Sequence, residues 1–371
     1  MADVTQIHLP TRATQLEILD KVEFASYVVD INKETYLPIM SRELSVGEYD
    51  DITGSYIGVI DDTHIYTFNN TWCYKYDRIT LKLVQSRYIG TSLIISRRNR
   101  LFADDGDYIY SLLSESNNTR IVKINKLDLT STTGPSAVSV NYGLNVANRI
   151  IVVGDKIVVN TTSRGSWVID KSTMTFLGAT TLNSGDSASD IMYGGDKHPY
   201  IYMLCRLAGT NRVYIISWNL TGGIKSAYQS PTHTSPNDNG FLIEIGDEDN
   251  FAFLVGTTVF KLDKSTLQIT LVNGTTASIS TGPFLLYTSD GMLRTLDAVN
   301  NGKVTSLTDI KNNTALDTYP IADNVTVSDC LTYNNETYAI VTLNIGGFNF
   351  IKLTTLEDIY KINDYRKVDS K

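Results

Sequence analysis

The sequence predicts an all-β fold built from repeated four-stranded antiparallel units, and three observations carry that reading. Only 19% of the 371 residues are charged, while 42% are hydrophobic and 22 are tyrosine. Ser, Thr, Asn and Tyr fill the difference, and they suit strands and turns better than long helices. A polar turn preceded by an apolar strand end recurs at near-equal spacing, and a second series of Asp, Gly and Asn reversals runs in step with it.

The first series reads KYDRITLKLV (75–84), KINKLDLTS (123–131), VIDKSTMTFLG (168–178), SWNLTGGIKSA (217–227), KLDKSTLQITL (261–271), SLTDIKNNTAL (306–316) and KLTTLEDIYKI (352–362). The apolar anchors before the turns are Tyr76, Ile124, Ile169, Trp218, Leu262, Leu307 and Leu353, about 46 residues apart. The second series places reversals at Asp62, Gly106, Asp155, Asp196, Asp247, Asp290 and Asn334. Such residues tolerate left-handed backbone angles or bond their own backbone, as tight reversals between antiparallel strands require.

Between the two series each repeat divides into four short strands. The first repeat gives SYIGVID, HIYTFN, WCYKYD and LKLVQSR; the third gives RIIVVGD, KIVVNTT, SWVID and MTFLGATT; the fifth gives GFLIEIG, NFAFLV, TVFKLD and LQITLVN. The leading run of each set is often continuously apolar, as an inner strand covered on both faces should be. Seven such units predict a seven-bladed β-propeller over residues 51–366, because a lone four-stranded sheet cannot cover its two faces and a ring of neighbours can. A β-sandwich would leave seven equal periods unexplained. The sixth repeat, LRTLDAVNNGKVTSLTDIKNNTALD, is the most polar and has the least definite strand edges.

The units VIDKSTMTFLG and KLDKSTLQITL resemble propeller repeats of the YVTN and quinoprotein type, with the pattern apolar-Asp-x-x-Thr-apolar. The resemblance implies a fold rather than an activity. The Trp-Asp dipeptides of WD40 repeats are missing, and Ser289-Asp290-Gly291 lacks the tryptophan of a sialidase box.

Residues 1–50 stand outside the repeat and form an N-terminal arm. Thr14-Gln15-Leu16-Glu17 has capping-box spacing and predicts a short helix over 12–22. ASYVVDI (25–31) and TYLPIM (35–40) read as strands, and one strand from 25–40 is a candidate to complete the last sheet. The charged tail at 367–371 is expected to fray. The N-terminus has no basic, apolar and small-residue succession of a secretory signal, and no apolar run reaches spanning length. Cys73, Cys205 and Cys330 are scattered in apolar runs and read as buried free thiols. Eight Asn-x-Thr triplets, among them those at Asn69 and Asn160, follow from the abundance of turn residues.

Chemistry is sparse. His8, His64, His198 and His233 have no metal-ligand spacing. The clusters Asp61-Asp62, Asp104-Asp105-Gly106-Asp107 and Asp247-Glu248-Asp249 could lend oxygens to Ca²⁺, but none forms an EF-hand loop. No nucleophile elbow, phosphate loop or dinucleotide fingerprint occurs, so no catalytic residue, metal or cofactor is assigned. The basic knot Arg97-Arg98-Asn99-Arg100 reads as a strand edge or a salt-bridge partner. With 40 acidic against 32 basic residues the chain carries −8, which opposes phosphate-backbone binding.

In a propeller the connections between blades share one face with the loops joining strands two and three. Three connections are long and polar: 135–148, 182–190 and 229–240. They supply the binding candidates Tyr142, Asp186, His233, Asn237 and Asp238. The opening QIHLPTRATQLEILDKV is similar in style to N-terminal segments of bacteriophage tail, fibre and baseplate proteins. That similarity implies a non-enzymatic virion component, present in multiple copies. Residues 1–50 would dock on other virion proteins and the propeller would face a host receptor or glycan. Two alternatives stand beside it. One is a cellular interaction scaffold. The other is a glycan hydrolase or lyase, for which Asp190, Glu244 and Asp329 beside inner strands are the candidate acids.

Overall fold

A computed structural model describes residues 40–43, 56–90, 93, 101–115, 118–135, 137–139, 147–161, 165–180, 182, 185–210, 212–220, 223–228, 240–245, 247–255, 258–271, 284–287, 292–297, 303–309, 314–316, 319–320, 325–334, 336–343 and 348–353. Among these the secondary structure is β throughout, in 30 strands.

β1 (Met40–Glu43) precedes the first sheet, which comprises β2 (Tyr56–Ile60), β3 (His64–Phe68), β4 (Trp72–Asp77) and β5 (Leu83–Tyr88). The second holds β6 (Ala103–Asp104), β7 (Tyr108–Glu115), β8 (Asn118–Asn125), β9 (Ser131–Thr133) and β10 (Ala137–Ser139). The third holds β11 (Ala147–Val153), β12 (Lys156–Thr161), β13 (Gly165–Asp170) and β14 (Phe176–Ala179). The fourth holds β15 (Ser187–Tyr193), β16 (Ile201–Arg206), β17 (Val213–Asn219) and β18 (Gly223–Tyr228). The fifth holds β19 (Gly240–Glu244), β20 (Asn250–Val255), β21 (Thr258–Asp263) and β22 (Ile269–Leu271). The sixth holds β23 (Phe284–Tyr287), β24 (Met292–Asp297), β25 (Lys303–Asp309), β26 (Thr314–Leu316) and β27 (Tyr319–Pro320). The last holds β28 (Val325–Tyr333), β29 (Glu336–Leu343) and β30 (Phe348–Leu353). All the pairings are antiparallel, and the strands read from the first, third and fifth repeats lie where the sequence placed them.

The fourth place in the last sheet is taken by β1, whose Met40 to Glu43 pair with Lys352 to Asn349. The sequence had suggested a strand from 25–40, so the borrowed strand lies further along the chain and shares only Met40 with that range. The helix expected at 12–22, the fourth strand suggested by 352–362 beyond Leu353 and the tail fall outside the described residues. The expected long connection 135–148 also contains a strand, since β10 pairs with β8.

The sheets pack face to face because strand side chains alternate. In β16, Tyr202 and Leu204 face the fifth sheet and join Leu242, Phe251 and Phe253. Ile201, Met203 and Cys205 face the third and join Val158. The same alternation in β12 sends Ile157 and Val159 toward the second sheet and Val158 toward the fourth. Ile57, Tyr74 and Tyr76 of the first sheet share a core with Tyr338 and Ile340 of the last. The leading strands follow suit: β2 lies beside β6, β6 beside β11, β11 beside β15 and β15 beside β19, while β23 lies beside β28 and β28 returns to β2. Cys73 and Cys205 are buried free thiols, and burial raises both well above the usual range.

The repeated turn explains the first sequence series. In YDRITL, IDKSTM and LDKSTL the aspartate Oδ1 accepts N–H bonds from residues two and three further on, as with Thr80 at 2.7 Å, Thr173 at 2.9 Å and Thr266 at 2.8 Å. Those donors hold the Asp263 carboxyl down to about 2, the Thr266 N–H first among them. The chain then passes through a left-handed apolar residue: Leu81, Leu129, Met174 or Leu267, with φ of 56°, 57°, 55° and 59°. That conformation costs about 1–2 kcal/mol for a residue with a Cβ. Each of the four side chains is buried, and burying a Leu or Met contributes about 1.5–3 kcal/mol, enough to hold the angle.

Candidate binding face

The turns joining the first two strands of a sheet lie at the same end as the turns after the third strand. At this turn end a cation follows the turn aspartate or asparagine in four of the sheets: Arg78, Lys126, Lys171 and Lys264. Its backbone N–H bonds to its own sheet's first turn, at Thr63, Asp107, Asp155 and Asp249 respectively. Its side chain links neighbouring sheets. Lys126 Nζ lies 2.7 Å from Asp61 Oδ2 of the first sheet and 2.9 Å from Asp104 Oδ2 of its own. Lys171 reaches Asp105 of the second sheet at 3.2 Å. Lys264 donates to the Gly194 carbonyl of the fourth sheet and to the Asp247 and Glu248 carbonyls, at 3.2, 3.1 and 3.0 Å. Arg78 lies over the Tyr333 ring of the last sheet at 5.4 Å, and Tyr333 donates to Asp62. The acidic turn clusters are therefore largely engaged in joining sheets. His198 joins in, with Nε2 2.9 Å from Asp249 Oδ1, while His64 stays within its own turn beside Thr63 and Asp61. Among the described residues no group of three or more metal-binding side chains converges.

The opposite end carries the connections between sheets and the turns between second and third strands. Asp186 sits there, directly before β15, and it is buried. Its Oδ1 accepts the Ala208 N–H at 2.8 Å and its Oδ2 the Tyr214 hydroxyl at 2.7 Å. Burial first, then this carboxylate, pushes the Tyr214 hydroxyl far up. Asp186 ties a connection to a turn, and both its oxygens are occupied. Tyr142, His233, Asn237 and Asp238 lie outside the described residues, as does Arg97–Arg100.

The suggested acids fare differently from one another. Asp190 is buried on β15, just past a register shift between Ala188 and Asp190. Its Oδ2 takes Arg149 Nη1 at 3.0 Å and the Leu242 N–H at 2.8 Å, and its Oδ1 takes the Ile191 N–H at 2.9 Å. Asp329 follows the matching shift on β28 and accepts the Ile57 N–H at 2.6 Å, across 272 residues of sequence. Both carboxylates thus pin the leading strand of the next sheet. Oxygens taken up in this way are not free to face a substrate. Glu244 is exposed at the end of β19. Sequence reading missed Arg149, which spans from Asp190 to the Leu242 carbonyl at 3.3 Å. Its one signal was a cation opening the apolar run RIIVV.

Two of the Asn-x-Thr triplets can be given a structural setting. Asn69 uses both ends of its amide within its turn, and Asn160 is fully buried.

The sequence matches no known protein family, and no curated protein is similar to it. Solved structures do resemble the fold. The β-propeller domain of Cps50 (Swd1) from Myceliophteria thermophila is 8% identical with a TM-score of 0.57, over 81% of this chain and 98% of that one. PorZ, an essential bacterial surface component of the type-IX secretion system of Porphyromonas gingivalis, is 13% identical with a TM-score of 0.53. That match covers 85% of this chain, which spans only 39% of the length of PorZ. At such identities the likeness concerns architecture alone: an all-β, propeller-like arrangement of four-stranded antiparallel sheets.

Proposed function

We propose that the chain is a non-enzymatic recognition ring of seven blades, held on a larger particle by its N-terminal arm. The observation that carries this reading is the pairing of β1 with β30 as the outermost strand of the last sheet. Attachment through an outermost strand would leave both ends of the ring free for a ligand. A load on the arm passes directly into a sheet that packs on the first. Engagement of Asp190 and Asp329 in backbone hydrogen bonds favours binding over a two-carboxylate hydrolase, which needs a free pair beside its substrate.

The particle we propose is a bacteriophage virion, on the strength of the opening segment's similarity to tail and fibre proteins. The ring would then contact a host-surface receptor or glycan, with weak contacts multiplied over many copies. Deleting residues 1–39 leaves β1 in place and tests the arm. The full chain is expected to co-sediment with virions, and the truncated chain to stay soluble with an unchanged melting temperature. Equal co-sedimentation of both, or absence of the full chain from particles, overturns the reading.

A further inference from the structure

Trp72 is the exception among the three tryptophans. Trp167 and Trp218 are buried at 3% and 1% exposure, whereas Trp72 is 39% exposed and its cross-strand partner Tyr88 is 52% exposed. The two face the same side of the first sheet, at the connection end, with ring centroids 5.8 Å apart and planes at 74°. The indole also lies nearly parallel to Tyr74, 6.4 Å away at 22°, and Tyr74 is buried.

The chain holds this pair in place. Asn69 Oδ1 accepts the N–H groups of Thr71 at 3.0 Å and Trp72 at 2.7 Å, and its Nδ2 donates to the Tyr74 hydroxyl at 3.1 Å. The strand end after Tyr88 is tied to the same turn, through Ile89 N–H to the Thr71 carbonyl at 2.9 Å and Leu93 N–H to that of Asn70 at 2.8 Å. The fold does not require an aromatic residue here. Counting back five places from the turn Asp or Asn puts Arg120, Gly165, Tyr214 and Thr258 at the corresponding positions. Tyr214, the other aromatic, is buried and bonded to Asp186.

We propose that the Trp72 indole, with Tyr88 edge-on beside it, forms a stacking platform for an uncharged sugar ring of a surface polysaccharide. Aromatic faces attract the C–H faces of a pyranose, and amide and hydroxyl groups beside them can bond its hydroxyls. Asn70 in the turn and Ser86 two residues before Tyr88 supply such groups. A protein of charge −8 is unsuited to polyanionic ligands, which sets a neutral glycan above a nucleic-acid base. The proposal rests on the recognition reading, but not on the arm that attaches the ring.

The test uses the full chain and measures tryptophan emission and acrylamide quenching during titration with maltohexaose, cellohexaose, chitohexaose and, as polyanion, heparin. At least one neutral oligosaccharide is expected to shift emission and protect one tryptophan. Trp72→Ala should weaken that binding by 10-fold or more, Trp72→Phe and Tyr88→Ala by less, all with unchanged melting temperature. No response to any neutral sugar, a response to heparin alone, or undiminished binding by a folded Trp72→Ala overturns the platform. Virion co-sedimentation of the same Trp72→Ala protein reports separately on attachment.

Discussion

Lys126 and Lys264 occupy the same place in their repeats, one residue past the turn Asn125 or Asp263, yet their surroundings differ in kind. Lys126 sits between two carboxylates, Asp61 and Asp104, contributed by adjoining sheets. Lys264 donates to three carbonyls and lies 4.3 Å above the Phe251 ring. Burial opposes charge at both. At Lys126 the hydrogen bonds to Asp61 and Asp104 outweigh it and raise the ammonium above its usual value, whereas at Lys264 burial wins and lowers it. A repeat therefore sets where a side chain stands, and the neighbouring sheet sets what its charge is worth.

The largest expected effect separates the two junctions by rescue. Lys264→Ala takes the ammonium from three carbonyls, of which that of Asp247 keeps the Asn250 N–H at 3.4 Å, and should cost about 3 kcal/mol in urea unfolding. Lys126→Ala leaves two carboxylates facing each other and should cost about 2 kcal/mol. Adding Asp61→Asn and Asp104→Asn should restore much of the second loss. Nothing comparable can repair the first, because its partners are backbone. Equal losses, or no rescue, would mean that the distinction has no energetic content.

A smaller effect tests what the two junctions share. Leu129 and Leu267 each follow the cation at a left-handed angle and are buried. Replacing either by Gly removes about 2–4 kcal/mol of packing but relieves about 1 kcal/mol of backbone cost, for a net loss near 2 kcal/mol at both sites. Stabilisation by either glycine would show that the turn, and not the burial, dictates the angle.

The smallest effect is in pH. Burial alone would raise the Asp61 carboxyl, but Lys126 and the N–H groups of Thr63 and His64 hold it far below the carboxylate range. A group so depressed stabilises the fold above its unfolded value of 3.8, and that contribution is lost as pH falls below it. The stability gap between wild type and Lys126→Met should therefore shrink as pH drops from about 4 to 2, while the gap for Lys264→Met should shrink less, since its hydrogen-bond partners are carbonyls and Glu244, Asp247, Glu248 and Asp249 act on it only through charge. At the alkaline end the signs oppose. The raised Lys126 contributes until pH rises through its folded value above 10.5. The lowered Lys264 makes the fold gain stability as pH climbs toward 10.5. Parallel pH profiles for the two variants would contradict the assignment.

Sequence reading found most of what is local. The turn at Asp170 is made by bonds to Ser172 and Thr173, within three residues, so the pattern IDKSTM announces it. The strands of the first, third and fifth sheets follow from alternation between such turns. The candidate site was far less legible. Asp186 looked like a loop residue free to bind, and Tyr214, 28 residues away, holds it. Trp72 looked like an ordinary strand residue, because exposure depends on which neighbour covers it.

The amino-acid order by itself determined the seven periods, the reversals and the alternating faces, because each is decided by chemistry within a few residues. Only the tertiary structure decided that Met40–Glu43 completes the last sheet, that Asp329 captures the Ile57 N–H, and that one lysine faces carboxylates and its counterpart carbonyls. Those pairings join residues far apart in the chain, and no local pattern encodes the partner that packing brings to each.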